Sequence, residues 1–289
     1  MASRTIVSGA AGLIGQYLIR TAARWAPGRI VHGLTRADLD LEDRVAVERL
    51  WQALKPDAVI HCAAMSRTKD CEEDPEGARR INAQVTAHLA QLSRNVPFIF
   101  LSSGEVFDGM RGWYSEKDEP NPINIYGQTK LEAEREVLRH DRHTVVRIVL
   151  TAGTSQNGNR SFVEDMCRLA KAGRDVTLHA DEFRCPLPAG VIARALWMLL
   201  DLDQPGLYHL GGADRLSRWD MGQALLSWYP ELHGRLVHGS LRDYQGPSRP
   251  ADLSLACQKI QRLLSFPLPG FREWLSGSPS GRTDLWDYE

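Results

Sequence analysis

The 289-residue chain carries almost no net charge: 35 Lys and Arg against 36 Asp and Glu leave −1, so no global field would hold it on nucleic acid or an anionic membrane. An anionic ligand must therefore be met locally. Cysteine is scarce, and the five present, Cys62, Cys71, Cys167, Cys185 and Cys257, make no C-x-x-C pair and have no His-rich neighbour at zinc-ligand spacing. Free thiols in a reducing compartment are the plain reading. No apolar run approaches the roughly 20 residues of a membrane span, and the opening MASRTIVSGAAG enters an apolar strand without the basic and apolar regions of an export leader. The expectation is a soluble cytoplasmic protein with no membrane or nucleic-acid partner. Internal repeats, low-complexity tracts and heptad runs are also lacking, which argues against solenoids and coiled coils.

What is present is an alternation. From Thr5 to about Leu150, short apolar runs (TIVSG, IVHGLT, AVIHCA, FIFLSS, TVVRIVL) are separated by amphipathic stretches over 13–25, 42–54, 76–94 and 125–140. That is the rhythm of strand, crossover helix, parallel strand. After Gly153 it breaks into polar punctuation, helices near 162–172, 191–200 and 218–229, and the short runs VTLHA and LYHLGG. The fold class read from this is α/β: a Rossmann-type doubly wound parallel sheet over 1–150, joined by the helix near 188–201, with a smaller mixed α/β C-terminal domain over 151–289 acting mainly as a substrate-binding cap. The polar tail GSPSGRTDLWDYE is expected to be loosely held.

SGAAGLIG follows the first strand and opens the first helix, spacing Gly9, Gly12 and Gly15 as G-x-x-G-x-x-G. Glycines there allow the sharp turn, the approach of backbone to a pyrophosphate and close helix-to-strand packing, while the helix N-terminus offers N–H groups and partial positive charge. A tight turn alone would need the same residues, but the strand-loop-helix context favours a dinucleotide. Where an acidic residue would meet the ribose hydroxyls of NAD, the second strand runs into Thr35 and Arg36. A guanidinium suits a ribose phosphate, so NADP(H) is expected in preference to NAD(H), which the loop still admits.

FIFLSSGEVFDG sets Ser103 at the carboxyl end of the fourth strand, and NIYGQTK sets Tyr126 and Lys130 four apart, on one helix face. A phenol with a pKa of about 10 is a poor acid until a neighbouring ammonium stabilises its phenolate. Ser103 is read as donor to a carbonyl oxygen, Tyr126 as general acid, and Lys130 as the group that tunes the tyrosine and reaches the nicotinamide ribose. Singly they read as a strand-end cap, a packing aromatic and a solvated charge; behind a phosphate loop they read as a hydride-transfer site.

SGAAGLIG, PDAVIHCAA, INAQVTAHLA, SSGEVFDG and IYGQTKLEAE, in that order, resemble the extended short-chain dehydrogenases and, within them, the dTDP-4-dehydrorhamnose reductase group. The resemblance implies reduction of a nucleotide-activated 4-keto sugar, with cofactor contacts on Gly9, Gly12, Leu13 and Ile14, on Asp40 and Leu41 at the adenine side, and on Cys62, Ala63 and Ala64. Three departures stand out. Gly104 and Glu105 replace Asp-Tyr before VFDG, Leu150 stands where a tryptophan is common, and Gln16 follows Gly15 without the acidic residue of a metal-bridged dimer. No metal is carried over, and for assembly the expectation goes no further than a homodimer. In the cap, Arg184 is a candidate for a nucleotide diphosphate or for a surface salt bridge, and Trp113 for stacking on the sugar. Two rival readings share the resemblance. One is an NADP-binding regulatory subunit like the methionine adenosyltransferase beta subunit, which also reads Ser-Ser before VFDG; the other is a sugar-nucleotide epimerase or dehydratase.

Overall fold

The computed structural model describes residues 3–277, so residues 278–289 of the polar tail lie outside it. Its centre is a parallel sheet built from β1 (Ser3–Ser8), β2 (Arg29–Leu34), β3 (Ala58–His61), β4 (Phe98–Ser103) and β5 (His143–Ile148), standing in the order β2-β1-β3-β4-β5. Every residue of β3 and β4 is buried, as expected where helices cover both faces of a parallel sheet and no strand needs a wet side. The chain leaves β1 for β2 on one flank and returns to β3 on the other. That reversal opens a crevice at the carboxyl ends of β1 and β3.

The helix Leu13–Trp25 buries Ile14, Gly15, Tyr17 and Leu18, a stripe at helical spacing. It packs against the helix Ala189–Leu202, most of whose residues are buried. Trp197, fully buried on that second helix, donates Nε1–H to the carbonyl of Leu18 at 3.3 Å. The acidic run at 71–77 contains a helix start, as its sequence suggested: Asp74 accepts from Gly77 N–H at 2.9 Å ahead of the helix Pro75–Arg79. No group of residues able to hold a metal occurs among the described residues, and no helix among them is long and apolar enough to cross a membrane.

Two elements differ from the sequence reading. The sequence places LYHLGG in the cap half, but Gly206–Leu210 is a sixth strand of the main sheet, paired in parallel with β5 from Gly206↔Thr144 to Leu210↔Ile148. Apolar alternation announces a strand without naming its neighbour. The single helix expected over 76–94 is a helix at Pro75–Arg79, a π turn at Arg80–Gln84 and a helix at Val85–Leu92. The π turn carries buried Asn82, whose amide accepts from Met65 N–H at 2.8 Å and donates to the Met65 carbonyl at 3.1 Å and to Thr129 Oγ1 at 3.0 Å. It thus ties the loop after β3 to the helix Ile125–Val137.

Candidate active site

A cleft of about 890 Å³ runs along the carboxyl edge of the sheet. At one end lie Gly9, Gly12, Leu13 and Ile14, with Arg36, Asp40 and Leu41 beside them. Its middle is walled by Cys62, Ala63 and Ala64 after β3, and by Ser103, Tyr126 and Lys130. The far end holds Glu105, Leu150 and Arg184. The cleft therefore gathers every catalytic, cofactor or substrate candidate named from the sequence except Trp113. That side chain is 47% exposed on the loop after β4 and does not line the cleft; its backbone, at φ 47°, donates N–H to Ser254 Oγ at 2.7 Å.

The glycine loop is shaped by close approach. Gly9 has φ 73°, and a Cβ there would meet Ala63 N at 2.6 Å, while one on Gly15 would meet the Gly9 carbonyl at 2.2 Å. Gly12 caps the helix without a side-chain hydrogen bond, and the first turn has no acidic residue. The helix N-terminus thus faces the cleft with its positive end unmatched, which fits a pyrophosphate. Gly9→Ala is expected to cost about 1–3 kcal/mol through left-handed strain and the contact with Ala63; calorimetry should show it as a melting temperature several degrees lower.

His61, buried at the end of β3, spans Ser8 Oγ (2.6 Å) and Thr86 Oγ1 (3.0 Å) and is held to a pKa of about 3 by burial. Burial likewise pushes the Cys62 thiol up to about 12. Neither side chain is a reactive group at neutral pH.

Tyr126 and Lys130 project from one helix, Ile125–Val137, whose N-cap Asn124 accepts from Gly127 N–H at 2.8 Å. Burial, then the Glu105 carboxylate, push the Tyr126 phenol well above its ordinary value, and a hydrogen bond with Ser103 works the other way. Lys130 Nζ donates to the Leu101 carbonyl at 2.5 Å and lies 4.0 Å from the centre of the Phe100 ring. Burial brings Lys130 down to about 7, against the pull of Glu134 one turn on.

Behind this pair, Glu134 and Arg147 form a buried bidentate ion pair, with Arg147 Nε 2.9 Å from Oε1 and Nη2 2.6 Å from Oε2. Ser102 Oγ also donates to Glu134. Arg147 Nη1 lies 3.4 Å from Nε2 of His209 on the sixth strand.

Sequence reasoning missed most of the far end. Arg218 and Arg249 join Arg184 there, around the buried carboxylate of Glu182, and Arg160 lines the same cleft. Burial alone would raise the Glu182 carboxyl, but Arg184, Arg218, His179 and Arg249 hold it at about 2. Burial lowers Arg218 to about 10. Four arginines thus line a cleft that holds two carboxylates, Glu105 and Glu182, an arrangement with room for an anion.

A glycine-loop Rossmann sheet with Tyr-x-x-x-Lys on the helix after β4, and with second-half residues closing the cleft, defines an extended short-chain dehydrogenase/reductase. Within that class the chain belongs to the family described as RmlD substrate binding domain, whose model matches residues 3–278. It is 31% identical over 277 residues to the dTDP-4-dehydrorhamnose reductase of Sinorhizobium fredii, covering 91% of this chain and 93% of that one. It is also 28% identical over 300 residues to the methionine adenosyltransferase 2 subunit beta of Danio rerio, covering 99% and 91%. Among solved structures, the dTDP-4-dehydrorhamnose reductase of Bacillus anthracis in complex with NADP superposes with a TM-score of 0.87 at 24% identity, covering 96% and 98%. At that identity the likeness speaks for the fold.

Proposed function

We propose that the protein is a cytoplasmic reductase that uses NADPH to reduce the 4-keto group of a nucleotide-activated deoxysugar. The observation that carries the reading is one continuous cleft leading from an uncapped helix N-terminus, past Ser103, Tyr126 and Lys130, to a cluster of arginines. When bound, the dinucleotide supplies the hydride.

The chain's residues bind, orient and move the proton. Backbone N–H groups of Leu13 and Ile14 would hold the pyrophosphate, with Asp40 and Leu41 at the adenine end and Cys62, Ala63 and Ala64 along the wall. Arg36 would take the 2′-phosphate. It has no ion-pair partner among the described residues, because Asp38 is occupied by Thr35, whose N–H and Oγ1 donate to it at 2.9 and 2.6 Å. Lys130 would hold the ribose hydroxyls. The Ser103 hydroxyl donates to the substrate carbonyl oxygen, Tyr126 gives its phenolic proton to that oxygen as the carbonyl is reduced, and Arg160, Arg184, Arg218 and Arg249 receive the diphosphate. The dTDP-4-dehydrorhamnose reductases among the relatives support the substrate class, and the five free thiols suit the cytoplasm.

The deciding measurement is NADPH absorbance against product formed, over a set of 4-keto-sugar nucleotides. A reductase consumes the cofactor in proportion to product; an epimerase or dehydratase turns over with no net consumption. NADP binding with no turnover of any sugar nucleotide would favour the regulatory reading, which the Danio rerio relative supports. Arg36→Ala is expected to raise the KM for NADPH about 10- to 100-fold, the worth of a hydrogen-bonded charge, and to leave the KM for NADH within about twofold. Equal effects on both cofactors would remove Arg36 from the phosphate site.

A further inference from the structure

At the far end of the cleft one carboxylate, that of Glu105, keeps acceptor capacity that the side chains around it do not use. The Ser103 and Tyr126 hydroxyls are committed to the carbonyl in the reading above, and the arginines can only donate. Of the two carboxylates there, Glu182 is enclosed by His179 Nδ1 at 2.8 Å, Arg184 Nη2 at 3.2 Å and Arg249 Nη1 at 3.5 Å. Glu105 is not. Its Oε2 accepts from Asn124 Nδ2 at 2.8 Å, and the nearest cation, Arg184 Nη2, stands 3.8 Å from Oε1, beyond hydrogen-bond length. A carboxylate has about four acceptor positions, so most of this one's capacity is unspent.

Glu105 is also held in place. Its N–H donates to Ser103 Oγ at 3.1 Å. Its carbonyl lies so close to the next helix that a Cβ on Gly127 would meet it at 2.0 Å. Asn124 bonds at once to Gly127 N–H and to the Glu105 carboxylate, so one amide joins this acid to the turn that carries Tyr126. Ser103, Glu105 and Tyr126 are thus linked through hydrogen bonds and line the same cleft, so a sugar whose carbonyl met the two hydroxyls would have its neighbouring carbons on the side of the carboxylate.

We propose that Glu105 selects the substrate by accepting a hydrogen bond from a hydroxyl on a sugar carbon adjacent to the reacting carbonyl, an inference that rests on the reductase reading. A built acceptor left empty by a sugar lacking that hydroxyl discriminates strongly, because a charged group is then desolvated without a partner.

The test is a binding comparison in NADP-saturated protein, by calorimetry, with dTDP-glucose and dTDP as probes. Glu105→Gln keeps the shape and can still accept from Asn124. It should weaken dTDP-glucose by about 10- to 100-fold and change dTDP by less than about threefold. Glu105→Asp, which keeps the charge on a shorter stem, should fall between Gln and wild type, and unchanged melting temperatures would certify both folds. Loss of both ligands together would overturn the proposal, placing Glu105 with the diphosphate through Arg184; so would loss of neither. The reductase reading fails by a different sign: wild type that binds dTDP-glucose but consumes no NADPH with any keto sugar. The binding comparison would stand in that case.

Discussion

Tyr126→Phe is expected to lower kcat by about 10²- to 10⁴-fold, the usual worth of a positioned general acid, while NADPH binds as tightly as to wild type. The phenol faces the cleft from the first turn of its helix, with its proton held on by burial and by the Glu105 carboxylate. A group whose pKa is raised keeps its proton through the neutral range and gives it up only as pH climbs through that raised value. In the reducing direction loss of this proton should therefore not limit wild-type kcat in the neutral range. Because the ring remains, the wall of the cleft is preserved and KM for the sugar nucleotide should change far less than kcat. A variant turning over within about tenfold of wild type would show that the proton comes from elsewhere.

Arg147→Met is expected to cost about 3–5 kcal/mol of folding free energy, because it strands the Glu134 carboxylate in the interior. Both partners are almost wholly covered, Arg147 at 3% exposure and Glu134 at 1%. With the guanidinium gone, only Ser102 would still donate to the acid, and that carboxylate would then be protonated or unmet. For a chain of this size the loss corresponds to a fall in melting temperature on the order of 10 °C. The control is the double variant Arg147→Met/Glu134→Leu. It removes both charges and should recover much of the loss, since an apolar replacement of a buried pair is often neutral or better. Denaturant melts of the two variants decide the matter: a single variant as stable as wild type would mean that the pair contributes nothing.

Five strands of the sheet and the helix Leu13–Trp25 were legible because their signals are local: apolar runs of strand length, then a glycine turn opening an amphipathic stretch. The glycine loop, Ser103, Tyr126 and Lys130 were legible for the same reason, as motifs at short spacing. What could not be read depends on contacts between distant residues. Arg160, Arg218 and Arg249 look like any solvated charges until the fold brings them into the cleft with Arg184, the one arginine of that end singled out in the sequence. Spacing alone puts Lys130 on the same face as Tyr126, whereas its tie to Leu101 and its burial belong to the packed state. Trp113 does not line the cleft: its backbone is tied to Ser254, and the side chain is half-exposed, a placement that depends on that long-range contact. The π turn at Asn82 left no trace in the periodicity.

The late arrival of the strand Gly206–Leu210 has a consequence for how the chain is made. Until residue 210 has left the ribosome, β5 presents a bare row of N–H and C=O groups, the kind of edge that invites pairing with another chain, and the helix Leu13–Trp25 lacks the Trp197 side chain that will cover it. Some sixty residues separate the two strands, so at about 5–20 residues per second the exposed edge persists for several seconds of synthesis. Aggregation of the nascent chain should concentrate in that interval, and a break in translation there should be more harmful than one nearer the end.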